Sequence, residues 1–242
     1  MKASPHDQRQ ILNTASLDQR TTALNHKAQT LVEHALLANV RIKSHNVRDL
    51  RIGAQTELSD VKRELLRAEA DVEQIVMRIV RDEARLNGGS ASPKELEQLQ
   101  HEVGTLSTRR AELEEVELEV MMRIDEINAR ISELSEQEAN CAAEIDDLEI
   151  RKENALAAIN SELEIIAKER SENLASVNPE LIALYEKIRT SNNGTGAAAL
   201  IAGSCNGCHL SINAVELKRI TDIAEDEVVR CEECRCILVR GV

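Results

Sequence analysis

Apolar residues recur at alternating steps of three and four along most of this chain. Leu58, Val61, Leu65, Ala68, Val72, Ile75, Ile79 and Leu86 keep the alternation, with Asp82 as the one interruption. Such spacing is a coiled-coil heptad: it lays a narrow apolar stripe along one side of a helix and calls for a partner helix to cover it. An earlier run, Leu17, Thr21, Leu24, Ala28, Leu31, Ala35, Ala38 and Ile42, alternates in the same way. The frame slips between them, around Lys43 to Ile52, where no proline forces an end. The pattern predicts one long helix over about residues 7–86, bent or interrupted near His45.

Composition agrees with a seam rather than a globular core. The 242 residues include no Phe, no Trp and a single tyrosine, Tyr185, while 30% are charged. A core of ordinary depth is hard to fill without aromatic side chains. The hydrophobic fraction of 42% is nevertheless too high, and too periodic, for a disordered chain. The fold class expected is mainly α.

Asn87 to Glu95 carries helix stop and start signals in order. Gly88 and Gly89 suit a left-handed terminus, Ser92 and Glu95 make a capping box, and Pro93 takes the first helical position. After this turn near 87–92 the heptad resumes in one frame, through Leu96, Leu99, Val103, Leu106, Leu113, Val120, Ile124, Ile127, Ile131, Leu134, Cys141, Ile145 and Leu148. Arg110, Glu117, Glu138 and Lys152 interrupt it, as register-setting polar residues of the seam would. The repeat weakens through Ala155, Ile159, Leu163 and Ile166 to about Ser176. Two helices of matched length joined by a short turn predict an antiparallel coiled-coil hairpin over residues 1–176, with Cys141 in its core.

Residues 177–242 read differently. Asn178 and Pro179 can cap a short helix from Glu180 to about Thr190, in which Tyr185 is expected to pack with its hydroxyl hydrogen-bonded. A polar loop, Ser191 to Gly196, follows. Two cysteine pairs then stand 22 residues apart, Cys205-Asn-Gly-Cys208 and Cys231-Glu-Glu-Cys234. Zinc takes four soft ligands in a tetrahedron, and each Cys-x-x-Cys turn offers two thiolates to one ion. A thioredoxin-like dithiol needs a strand-to-helix setting that neither pair has. Disulfides call for an oxidising compartment, and the opening Met-Lys-Ala-Ser-Pro-His-Asp has no apolar stretch of signal-peptide length, so a cytoplasmic location is expected.

Around the pairs the pattern is strand, knuckle, helix, strand, knuckle, strand. Ala197 to Ala202, Val228 to Arg230 and Ile237 to Arg240 supply the strands, and Asn213 caps a helix through Val215, Leu217 and Ile220. This is a small zinc ribbon with a helical insert, holding one structural zinc whose binding supplies much of its folding energy. Four cysteines leave no open position for water, and the chain has no glycine-rich phosphate loop, so neither an enzyme nor a small-molecule substrate is expected.

The charge balance bears on partners. The chain carries a formal net charge of −13. Within residues 197–242, Lys218, Arg219, Arg230, Arg235 and Arg240 face Glu216, Asp222, Glu225, Asp226, Glu227, Glu232 and Glu233. The ribbon is therefore net acidic even before thiolates bind a metal, and it has no aromatic residue on which bases could stack. Those five basic residues are the candidate contacts for nucleic acid or a partner. A long acidic arm and a small rigid head favour protein partners over nucleic acid, and nothing points to a membrane.

The chain resembles, over essentially its whole length, the bacterial proteins made of a long coiled-coil hairpin followed by a four-cysteine zinc ribbon. The resemblance rests on Ser92-Pro-Lys-Glu-Leu-Glu-Gln-Leu-Gln-His-Glu102, Leu184-Tyr-Glu-Lys-Ile-Arg189, Cys205-Asn-Gly-Cys-His-Leu210, Asp226-Glu-Val-Val-Arg-Cys-Glu-Glu-Cys234 and Ile237-Leu-Val-Arg240. It implies zinc on Cys205, Cys208, Cys231 and Cys234, no enzymatic activity, and a nucleic-acid-binding or adaptor role with partners in transcription or secretion machinery. One place departs: relatives usually have glycine after the second knuckle, where this chain has Arg235 and then Cys236. An arginine at a positive φ would strain the turn, and Cys236 could compete with Cys234 as a ligand.

Overall fold

The computed structural model describes residues 1–89 and 92–241; positions 90 and 91 of the expected turn, and position 242 of the C-terminal segment, lie outside the described residues. Five helices are described: α1 (Pro5–Gln29), α2 (Val32–Asn87), α3 (Pro93–Leu174), α4 (Pro179–Ser191) and α5 (Ala214–Asp222). Four short strands accompany them: β1 (Ala197–Ile201), β2 (Ser204–Cys205), β3 (Val229–Arg230) and β4 (Ile237–Val239). Contacts group the chain into two units, Leu36–Leu148 and Met1–Ala35 with Glu149–Val242.

The expectation of one helix over residues 7–86, interrupted near His45, is corrected. The first helix starts at Pro5, where Ser4 Oγ accepts a hydrogen bond from the Asp7 amide. It ends at Gln29, where the Thr30 amide donates to the carbonyls of His26 and Lys27, and α2 then runs unbroken through residues 43–52. The frame changes at this break. Leu37, Val40, Val47, Ala54 and Val61 are buried, whereas Ala35, Ala38 and Ile42 are exposed, Ile42 by 62%. The heptad of Leu58 therefore extends back to Leu37 with half-buried Ser44 and Arg51 as polar members, and those two residues hid it. Leaving the helix at Thr30 and Leu31 re-phases the stripe, which no continuous heptad could do.

Within Leu36–Leu148, α2 and α3 share an antiparallel seam. Four inter-helix ion pairs show the direction, since partners advance along α2 as they retreat along α3: Arg51 with Glu138, Glu57 with Arg130, Glu64 with Arg123, and Arg78 with Glu102. Arg51 Nε donates to Glu138 Oε2 at 2.6 Å with both side chains less than a third exposed. One of the polar interruptions of α3 is thus matched by a polar residue of α2. Arg110 behaves otherwise: it is exposed and pairs with Glu114 of its own helix. Cys141 packs in the seam with Leu37, Val40 and Leu148, as expected of a core thiol. Asp82 is buried in the stripe with Oδ2 lacking a hydrogen-bond partner. The capping box at the start of α3 is present, with the Ser92 amide donating to Glu95 Oε2 at 2.8 Å and the Glu95 amide to Ser92 Oγ.

The other unit joins α1, the end of α3, α4 and the ribbon around one apolar cluster. Ile11, Leu181, Tyr185, Ile220, Ile237 and Leu238 are among its fully or almost fully buried members. At its polar edge Asp18, itself buried, accepts from Tyr185 Oη at 2.6 Å and from Arg170 Nε at 2.7 Å. Arg170 also reaches Glu186, which pairs with Arg189. One carboxylate therefore ties α1 to both α3 and α4. Burial and this bond push the Tyr185 phenol far above its usual range. Gly196 makes room for the ring, because a Cβ at that position would sit 2.4 Å from Tyr185 Cε2.

The strands form one sheet in the order β2-β1-β4-β3, with β1 and β4 parallel and the outer pairs antiparallel. The N-terminal residues add to the ribbon. The Ala3 amide donates to the Asp226 carbonyl at 2.7 Å, the Val228 amide to the Met1 carbonyl at 3.0 Å, and buried Gln8 Nε2 to the carbonyls of Ala3 and Glu225. Sequence periodicity carries no signal for such a clasp, since it uses backbone groups, the Gln8 amide and the exposed ion pair of Lys2 with Asp226.

Candidate metal centre

The two knuckles are built on one backbone template. In the first, the His209 amide donates to the Cys205 carbonyl at 2.8 Å and the Cys205 amide to the Leu210 carbonyl at 3.0 Å. In the second, the Arg235 amide donates to the Cys231 carbonyl at 3.0 Å and the Cys231 amide to the Cys236 carbonyl at 2.9 Å. His209 and Arg235, each following the second cysteine of its pair, have φ of 62° and 63°. The turn therefore needs the left-handed region at this residue, and the departure from glycine at Arg235 places a Cβ where glycine is favoured.

This template turns four sulfurs toward one point. The Sγ atoms of Cys205, Cys208, Cys231 and Cys234 all lie within 4.8 Å of one another. Cys205 and Cys234 are 3.8 Å apart, and Cys208 and Cys231 are 3.9 Å apart. A tetrahedron of thiolates bound at about 2.3 Å has edges of about 3.8 Å, so the donor set fits zinc in both chemistry and size. Cys205 and Cys231 are buried, Cys208 and Cys234 half-buried. Burial pushes the Cys234 thiol up to about 12; a divalent cation is what makes a thiolate tenable there, so binding expels protons. A shell closed by four sulfurs offers structural support rather than a site for activated water.

A fifth thiol adjoins the four. Cys236 is fully buried, with Sγ 3.3 Å from that of Cys234 and 3.6 Å from that of Cys205.

Three of the five basic residues, Arg219, Arg230 and Arg240, have partners within the ribbon. Arg240 is turned inward, its guanidinium donating to the carbonyls of Ile220, Ile223, Ala224 and Glu227 at 2.8 to 3.0 Å, where it closes the C-terminal end of α5. Arg219 pairs with Glu216 one turn earlier on the same helix. Arg230 Nε donates to the Arg235 carbonyl at 3.0 Å. Lys218 and Arg235 have exposed side chains. No helix among the described residues is long and apolar enough to cross a membrane.

Residues 14–193 match the CT398-like coiled coil hairpin domain, and residues 204–238 match the C4-type zinc ribbon domain. An uncharacterized protein of Mycobacterium tuberculosis strain H37Rv is 33% identical over 240 residues, covering 99% of this chain and 98% of the relative. A solved structure from Mycobacterium smegmatis aligns over 100% of both chains with a TM-score of 0.86 and 30% identity. The structure of CT398 from Chlamydia trachomatis aligns over 97% of this chain and 98% of its own, with a TM-score of 0.65 and 19% identity, which is a likeness of fold. The expected architecture, a helical hairpin followed by a ribbon that holds one structural zinc, is borne out by these matches together with the clustered cysteines.

Proposed function

Because this chain belongs to the CT398-like coiled-coil hairpin family and carries a C4-type zinc ribbon, we propose that it is a non-enzymatic adaptor whose helical arm and zinc-clamped head bind partner proteins. The observation that carries this reading is the surface of α2 and α3 away from their seam. Leu66, Met77 and Val80 on α2, and Leu118, Met121 and Met122 on α3, are between 47% and 64% exposed. Side chains of this kind do not serve the seam, and exposed apolar and methionine-rich faces on helices suit engagement of another protein. The closed thiolate shell supports a head that is folded rather than catalytic. A location in the cytoplasm, where thiols stay reduced, suits that chemistry.

The ribbon supports a nucleic-acid role less well. Of the five candidate contacts, Arg240 and Arg219 are engaged within the fold, and the exposed pair Lys218 and Arg235 works against a net acidic module. The two readings separate in one experiment with the full-length protein. A defined partner recovered from nuclease-treated host lysate, and lost when Met77, Val80, Leu118 and Met122 are changed to glutamine with helical circular dichroism unchanged, supports the adaptor. Salt-sensitive binding to RNA or DNA that is abolished by Lys218→Glu with Arg219→Glu, without any such protein partner, would overturn it.

A further inference from the structure

We propose that Cys236 is a reserve zinc ligand: when Cys234 is lost or blocked, the second knuckle closes on the metal through Cys231 and Cys236. The geometry is that of a thiol one ligand edge away from the site. Cys236 Sγ lies 3.6 Å from Cys205 Sγ, slightly closer than the 3.8 Å between Cys205 and Cys234. That separation is close to the roughly 3.8 Å edge of a four-thiolate zinc tetrahedron. Cys236 also lies 3.3 Å from Cys234, the position it would assume.

Spacing and backbone allow the exchange. Four residues separate Cys231 from Cys236 in the sequence, within the range of about two to four found between paired zinc cysteines. The Cys231 amide already donates to the Cys236 carbonyl at 2.9 Å, so the two residues are held together before any metal moves. Their accessibilities differ in the useful direction: Cys234 is half-buried and meets reagents first, whereas Cys236 is fully buried. The exchange needs no oxidant. Sulfur of Cys234 leaves zinc, sulfur of Cys236 bonds it, and the proton of the Cys236 thiol passes to water.

The first knuckle has no such reserve. Its matching position on the shared template is Leu210, so loss of Cys208 leaves three sulfurs, and that asymmetry is the internal control. Full-length Cys234→Ser, Cys208→Ser and Cys234→Ser with Cys236→Ser are purified without chelator, and zinc is measured by native mass spectrometry. Cys234→Ser is expected to hold about one zinc per chain, and the other two variants less than about half. Substituted cobalt should show four-thiolate charge transfer in Cys234→Ser that weakens in the double variant. Equal loss of zinc from Cys234→Ser and from the double variant overturns the proposal, as does equal retention by both.

A second measurement avoids substitution. Zinc-loaded wild-type protein is treated with limiting iodoacetamide, and molecules alkylated once at Cys234 are examined. Retention of zinc by that adduct supports the exchange; its loss refutes it.

Discussion

Above about pH 10 the proton of Tyr185 should contribute a loss of stability to the unit that carries the ribbon. The phenol is fully buried and donates to Asp18 at 2.6 Å, so ionisation would set a second negative charge against a buried carboxylate. Burial first, and the bond to Asp18 second, raise its pKa well above the ordinary value. The sign follows from which state holds the proton. Below about pH 10 both folded and unfolded chains keep it and stability is unaffected; above that, the unfolded chain releases it and the folded chain does not. The contribution of Tyr185 is therefore full on the acid side and falls by about 1.4 kcal/mol per pH unit on the alkaline side. Tyr185→Phe removes a hydrogen bond to a charged group, which costs about 1.5 to 3 kcal/mol near neutral pH, but it also removes this part of the alkaline loss. Urea unfolding of zinc-loaded protein by circular dichroism, at steps from about pH 9 to about pH 11, gives both quantities. Tyr185 is the single tyrosine and tryptophan is absent, so the near-ultraviolet absorbance of tyrosinate reports this one phenol. Tyrosinate appearing near pH 10 in protein that is still folded, or an alkaline slope unchanged in Tyr185→Phe, would refute the reasoning.

Three further outcomes are expected. Removing zinc with a strong chelator should abolish amide-exchange protection in β1, β4 and α5 while the seam of α2 and α3 keeps its protection, because metal supplies the small module's folding energy but not the helices'; loss of protection in the seam as well would contradict this. Asp82→Leu should stabilise the protein by about 1.5 to 3 kcal/mol, since it exchanges a buried carboxylate with an unpartnered Oδ2 for an apolar member of the same heptad. Denaturant unfolding followed at the helical circular-dichroism band measures it, and a destabilised variant would mean that Asp82 has a role in register. Arg235→Gly should relieve the φ of 63° and stabilise the ribbon by about 1 kcal/mol, seen as slower zinc transfer to a chelator; faster transfer would show that the arginine side chain supports the knuckle.

Much of the architecture was legible in the order of residues because its determinants are local. A heptad needs only a repeating step, a capping box only Ser92 and Glu95, and a zinc knuckle only two cysteines at a fixed spacing, so helix, turn and metal set could be placed with no knowledge of the fold. The break between α1 and α2 was misplaced for a reason of the same kind. Ser44 and Arg51 occupy heptad positions as polar residues, and only a partner such as Glu138 on another helix makes Arg51 acceptable there.

What tertiary structure decided are the relations between residues far apart in sequence. The chemistry of Asp18 depends on Arg170 and Tyr185, more than 150 residues away, and nothing near Asp18 announces them. Arg240, a candidate contact by its place in the sequence, is surrounded by the carbonyls of α5 and its following turn. The clasp of residues 1–3 on the ribbon rests on backbone hydrogen bonds and on the ion pair of Lys2 with Asp226, a residue more than 200 positions away. Cys236, finally, stands out in the sequence only as a competitor of Cys234; its separations of 3.3 and 3.6 Å from two members of the metal set exist only once the second knuckle has folded back on the first. Periodic burial and short-range turns are encoded by residue type and spacing, whereas buried charge pairs and a shared sulfur cluster depend on which surfaces meet, and only packing determines that.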